Sequence, residues 1–126
     1  MVSKTFKELI REAEAGLSKA SPSEAHAAHQ GGDVLLDVRE PDELDKEGRI
    51  RTAMHIPRGI LEARACSEAE TKDSALCDAR GKRVFVMCAS GARATLAADT
   101  LKEMGYNAVV VEGGFKAWKD AGLALA

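Results

Sequence analysis

One stretch of this 126-residue chain concentrates reactive side chains. An apolar run at 84–87 delivers Cys88, and the loop Cys88, Ala89, Ser90, Gly91, Ala92, Arg93 opens directly into a helical pattern. In open α/β sheets, ligands gather outside the carboxyl ends of the strands, and Cys88 falls at such an end. Ala89, Ser90, Gly91 and Ala92 are small, so successive backbone N–H groups can curl around a bound anion unshielded by side chains. Cysteines at helix N-termini or beside cations react as thiolates far more readily than a free thiol does, so Cys88 is read as a nucleophile. Arg93 adds a planar, permanent cation suited to fixing a sulfonate, sulfate or phosphate group. A lone cysteine is more often a buried structural residue. The coincidence of Cys88, Gly91, Arg93 and strand-to-helix placement favours chemistry.

The elements that must position this loop are readable from hydrophobic spacing. Phe6, Leu9, Ile10, Ala13 and Leu17 recur at helical intervals and predict an amphipathic surface helix over 4–17. A second helix is expected from Ser21, with Pro22 at its first position, Glu24 in capping-box position and Gly31-Gly32 as its stop. The run 34–38 reads as a strand buried on both faces, 41–46 as a short helix, and 54–56 as a short strand ended by Pro57. Residues 60–70 look helical, and the polar segment 67–80 has no clear pattern. A strand at 82–88 leads into a helix whose apolar face is Ala94, Ala97, Ala98, Leu101 and Met104, ended by Gly105. A strand and a turn over 107–114 and a closing helix from Phe115 complete an alternating order that argues for an α/β domain with a mostly parallel sheet.

Composition excludes several function classes. Eighteen Lys and Arg against twenty Asp and Glu give a net charge of −2, so no broad basic footprint for nucleic acid exists. No apolar run approaches the roughly 20 residues that cross a bilayer. The charged N-terminus lacks the apolar core of a signal peptide, which makes the cytoplasm the expected compartment. Three cysteines without a C-x-x-C pair do not form a disulfide framework.

Four motifs, in order, resemble the rhodanese domain, the sulfurtransferases that carry sulfur as a cysteine persulfide: LLDVREPDEL at 35–44, GRIRTAMHIPRG at 48–59, CASGAR at 88–93 and EGGFKAW at 112–118. The resemblance covers about 21–122. It implies a single rhodanese-like domain over 21–126, a small parallel sheet flanked by helices; the amphipathic helix read from the spacing within 1–20 is expected to pack on it. It also implies a thiosulfate-type sulfurtransferase in which Cys88 is the persulfide carrier and Arg93 with the 89–92 backbone is the anion cradle. The partners implied are a small anionic sulfur donor and a thiol or protein-cysteine acceptor, with no cofactor, metal, nucleic acid or membrane, and a monomer or weak homodimer. Related dual-specificity phosphatases carry five residues between cysteine and arginine; here there are four, and Met87 stands where those enzymes commonly have histidine. Sulfur transfer is favoured over a cysteine phosphatase or arsenate reductase, and over a non-catalytic interaction module, since such modules usually lack the cysteine. Ala89 replaces the basic residue that many thiosulfate-type members have after the nucleophile, so thiosulfate affinity is expected to be modest.

Other residues are weighed against blander roles. Asp37 and Arg39 are expected to be structural near the site, with Glu40 beside them. Arg58 is a candidate anion-binding residue at the pocket mouth, and Ser90 a helix cap or persulfide contact. Cys66 and Cys77 read as unreactive thiols sooner than as resolving partners for Cys88. His26 and His29 share a helix face but find no third metal ligand, His55 has no evident base partner, and Phe115 and Trp118 are read as core anchors.

Overall fold

Three continuous apolar runs fold as the central strands of a five-stranded, all-parallel sheet, in a computed structural model that describes residues 3–125. In chain order the elements are α1 (Phe6–Glu14), β1 (Ser18–Ala20), α2 (Pro22–Gln30), β2 (Val34–Asp37), α3 (Pro41–Glu47), β3 (Met54–His55), α4 (Leu61–Ala65), α5 (Ser74–Cys77), β4 (Arg83–Met87), α6 (Ala92–Glu103), β5 (Asn107–Val111) and α7 (Gly114–Asp120). Short 3-10 turns occupy Arg58–Ile60 and Asp78–Gly81. The strand order is β1-β5-β4-β2-β3, so β5, β4 and β2 are interior and need apolar side chains on both faces.

The two-residue period of a strand divides β4 between two cores. Val84, Val86 and Cys88 face a layer containing α4, α5 and α6, where Leu61, Leu76, Ala97 and Leu101 are fully buried. Phe85 and Met87 face the opposite layer, closed by α2 and α7 through Ala25, Phe115 and Trp118. Cys88 therefore points toward the α6 side of the sheet.

The helices begin where the caps dictate. Ser21 and Glu24 form the reciprocal capping box expected for α2, and Thr5 with Glu8 forms another for α1. α1 rests on α6, but Phe6 and Leu9 stay 59% and 44% exposed. The structure departs from the sequence reading in two places. The helix expected over 4–17 ends at Glu14, and Ser18–Ala20 joins the sheet as β1, paired with Val109, Val110 and Val111. The helix expected over 60–70 stops at Ala65. Arg64 Nη1 donates to the Thr71 carbonyl, Thr71 Oγ1 donates to the Ala63 carbonyl, and the Asp73 amide donates to the Arg64 carbonyl, turning the chain back. Within the unassigned 67–80 segment, Asp73 caps α5 by accepting from the Leu76 amide. Among the described residues no helix is long and apolar enough to cross a membrane.

Candidate active site

The chain leaves β4 at Met87 and wraps the next residue. Cys88 is 1% exposed, and its Sγ accepts hydrogen bonds from the Gly91 amide at 3.1 Å and the Ala94 amide at 3.3 Å. Two aligned backbone donors stabilise negative charge on that sulfur, in the manner of an oxyanion hole. The turn that aims them needs glycine at 91, where φ is +127°. Thr95 fixes the turn, its amide and Oγ1 both donating to the Gly91 carbonyl.

The start of α7 clamps the other side of the loop. The Phe115 amide donates to the Cys88 carbonyl at 2.8 Å and the Lys116 amide to the Ala89 carbonyl at 3.2 Å. Only glycine permits this approach, because a Cβ on Gly114 would lie 2.4 Å from the Cys88 carbonyl oxygen.

Arg93 lies at the loop's end, and its guanidinium pairs with a carboxylate. Nη1 and Nη2 donate to Glu43 Oε1 and Oε2 at 2.5 and 2.8 Å, a two-pronged ion pair with α3. Glu43 Oε1 also accepts from the Glu40 amide. The hydrogen bonds from Arg93 hold the Glu43 carboxyl down at about 2 against the opposing effect of burial. Arg93 is in turn held above its usual range by its hydrogen bonds to Glu43, against the opposing effect of burial. The sequence expectation directs this fork at the donor; the structure adds Glu43 as its carboxylate partner, and a bidentate charge-assisted pair of this kind is among the stronger ones.

Asp37 and Arg39 sit beneath the site as a buried pair. Arg39 Nη2 is 2.8 Å from Asp37 Oδ2 and also donates to the Gly48 carbonyl, while the Arg39 amide donates to Asp37 Oδ1. The guanidinium stacks on the Phe115 ring at 3.9 Å, linking this pair to the residue whose amide holds the Cys88 carbonyl. His55 Nε2 lies 2.7 Å from the Arg39 carbonyl.

The loop separates two surface hollows. On the α7 side, Ala89 and Ser90 meet Lys46, Lys116 and Lys119, with Glu47, around a space of about 580 Å³. On the α6 side, Ser90, Gly91 and Ala92 form one wall of a cavity of about 320 Å³. Ser90 is exposed between them and caps nothing; Gly91 occupies the cap position of α6, without a side-chain bond.

The remaining sequence candidates lie elsewhere. Arg58 is bound to Glu62 and to Thr100, about 12 Å along α6 from the loop at 1.5 Å per residue. The structure thus does not bring it to Cys88. Cys77 donates weakly to the Arg64 carbonyl, and Cys66 directly follows Ala65, whose carbonyl accepts from the hydroxyl of Tyr106, the residue that precedes β5 at the amino edge of the sheet. That is the end opposite Cys88. Both ring nitrogens of His29 are engaged, with the Asp33 carbonyl and Thr52 Oγ1, and His26 packs edge-on against the buried Trp118. No group of three His, Cys, Asp or Glu with metal-binding geometry occurs among the described residues.

Sequence reasoning did not single out Glu43, Gly114 or the lysine group. Gly113-Gly114 was visible as a turn, but not as a close approach. Glu43 carries one available signal, its place in the same DVREPDEL segment as Asp37 and Arg39, the residues expected to be structural near the site.

Comparison with known proteins places these features in context. The family model described as "Rhodanese-like domain" matches residues 21–121. The chain is 40% identical over 94 residues to a Schizosaccharomyces pombe protein named "Putative thiosulfate sulfurtransferase, mitochondrial", covering 69% of this chain and 63% of that one. It thus spans less than two thirds of that relative. A solved protein of unknown function from Rhodopseudomonas palustris, described as "Possible Tyrosine Phosphatase", matches with a TM-score of 0.91 at 29% identity, covering 100% of this chain and 97% of that one. The solution structure of the 30 kDa polysulfide-sulfur transferase homodimer from Wolinella succinogenes matches with a TM-score of 0.74 at 32% identity, covering 96% and 86%.

Proposed function

Because the chain belongs to the rhodanese-like domain family, and the Schizosaccharomyces and Wolinella relatives carry sulfurtransferase names, we propose that it carries sulfur as a persulfide on Cys88, from thiosulfate or a similar anionic donor to a thiol or protein-cysteine acceptor. The observation that carries this reading is the pair of loop amides, from Gly91 and Ala94, on Cys88 Sγ.

The reaction is a double displacement, in which a covalent intermediate splits one transfer into two easier ones. In the first half, the Cys88 thiolate attacks the outer sulfur of thiosulfate. The donor's S–S bond breaks, sulfite leaves with the electron pair, and Cys88 becomes a persulfide. In the second half, an acceptor attacks the terminal sulfur and the electron pair returns to Cys88. The loop amides stabilise the thiolate in both halves, as nucleophile and then as leaving group. Arg93 acts as a positioning residue, tying the start of α6 to α3 through Glu43. The attraction for an anionic donor falls to Lys46, Lys116 and Lys119 around Ala89 and Ser90, in place of the basic residue missing at 89.

The phosphatase reading, which the name of the Rhodopseudomonas relative brings in, is disfavoured by two observations. The loop has four residues between Cys88 and Arg93, and the Arg93 fork is occupied by Glu43. Thiocyanate formation from thiosulfate and cyanide decides between them. The wild type is expected to turn over and Cys88→Ser to be inactive. Aryl-phosphate hydrolysis lost in Cys88→Ser, without thiocyanate formation by the wild type, reverses the assignment.

A further inference from the structure

α1 and β1 precede the residues matched by the family model, yet both line a cavity against the Cys88 loop. Ile10 and Glu14 of α1 and Lys19 of β1 close the cavity of about 320 Å³ whose opposite wall is Ser90, Gly91 and Ala92. The cavity lies on the α6 side of the sheet, the side toward which Cys88 points. It opens at the carboxyl ends of the paired strands β1 and β5, where α/β sheets bind ligands. Gly91, in its wall, is also the residue whose amide holds Cys88 Sγ at 3.1 Å. The volume falls at the small end of organic-ligand sites.

The lining chemistry differs from that of the lysine hollow across the loop. Lys19 is paired with Glu14 at 2.9 Å, and Glu112 at the end of β5 makes no side-chain hydrogen bond among the described residues. Two carboxylates against one ammonium disfavour an oxyanion, while Ile10 and Val110 offer apolar contact for a carbon skeleton. The Cys88 loop thus has a cationic approach on one side and an anionic, partly apolar one on the other.

We propose that the α1 cavity is the acceptor site, and that it takes a small thiol bearing an ammonium group, its cation facing Glu14 and Glu112. This rests on the persulfide reading above. The acceptor sulfur attacks the terminal sulfur of the Cys88 persulfide, and a new S–S bond forms as the Cys88 S–S bond breaks. The electron pair stays on the Cys88 thiolate, and the thiol proton passes to the departing acceptor persulfide. Sulfur then leaves by a different side from the one by which the donor arrived.

The test is single-turnover transfer from thiosulfate-loaded protein to cysteamine, a cationic thiol, or to 3-mercaptopropionate, an anionic one of similar size. Wild type is compared with a Glu14→Gln/Glu112→Gln variant, both positions being surface side chains whose loss leaves no buried group unpaired. Dividing each variant rate by the wild-type rate for the same thiol cancels intrinsic nucleophilicity. The cysteamine ratio is expected to fall about fivefold to tenfold, and the 3-mercaptopropionate ratio to hold or rise as Lys19 is released. Equal changes for both thiols, or none, overturn the proposal. Should the wild type take up no sulfur, the persulfide reading fails by itself, and the cavity is tested with unreactive S-methylcysteamine. Amide shifts at Val111 and Glu112 that disappear in the double variant support it; no shift in the wild type overturns it.

Discussion

Arg93 and Glu43 meet fork to fork, at 2.5 and 2.8 Å, across 50 residues of sequence. The pair joins the first turn of α6, which supplies the Ala94 amide to Cys88 Sγ, to α3. The guanidinium at the end of the Cys88 loop is therefore a strut, and the groups aimed at the Cys88 sulfur are backbone amides.

That strut has an acid signature. The folded Glu43 carboxyl lies at about 2, below its ordinary 4.5, so its stabilisation is fully present above about pH 4.5 and is lost as pH falls toward 2. Both side chains are partly exposed, and screening leaves a contribution of about 1–2 kcal/mol at neutral pH. Glu43→Gln is expected to lose that amount in urea unfolding at pH 7, and to decline less than wild type between pH 4.5 and 2. Parallel declines would contradict this.

Gly114 is where α7 touches the loop. In Gly114→Ala the new Cβ meets the Cys88 carbonyl at 2.4 Å with φ at +61°, whereas Gly122→Ala, at φ +72°, meets nothing within 4 Å. The first is expected to cost about 2–3 kcal/mol and to slow iodoacetamide alkylation of Cys88; the second costs about 1 kcal/mol and leaves alkylation unchanged. Equal effects on stability and reactivity would show that the contact does not matter.

The buried Asp37–Arg39 pair supports the site from below. Removing one charge leaves the other uncompensated, so Arg39→Met is expected to destabilise by about 3–5 kcal/mol. Arg39 Nη1 has no hydrogen-bond partner, so the intact pair already carries a desolvation cost. Asp37→Asn combined with Arg39→Met keeps an acceptor for the residue-39 amide and is expected to recover most of the loss. Urea unfolding of both variants checks this; additive losses would refute it.

The lysine hollow makes a salt-dependent claim. Lys46→Gln/Lys116→Gln/Lys119→Gln is expected to lower kcat/KM for thiosulfate about threefold to tenfold at low ionic strength, with the gap closing as salt is raised. A salt-independent gap, or no gap, would remove these lysines from donor capture.

Much of this molecule was legible in its sequence because local chemistry dictated it. Continuous apolar runs specified β2, β4 and β5; Ser21 and Glu24 specified the start of α2; small residues after Cys88 specified the loop. What escaped depended on long-range pairing. β1 is Ser-Lys-Ala, with no periodicity of its own, and becomes a strand only through its register with Val109–Val111. Lys46 and Lys116 belong to helices far apart in sequence, and α4 ends at Ala65 through hydrogen bonds that residues 71–73 supply on turning back. Arg93 is legible as an anion fork, but its pairing with Glu43 depends on where α3 lies.

The central claim is that Cys88 carries sulfur, and the most direct measurement is the intact mass of the reduced protein after incubation with thiosulfate, beside Cys88→Ala treated identically. The account expects the wild type alone to gain one sulfur atom and to lose it to cyanide as thiocyanate. A wild type that gains nothing, or a Cys88→Ala variant that gains sulfur equally, would contradict it.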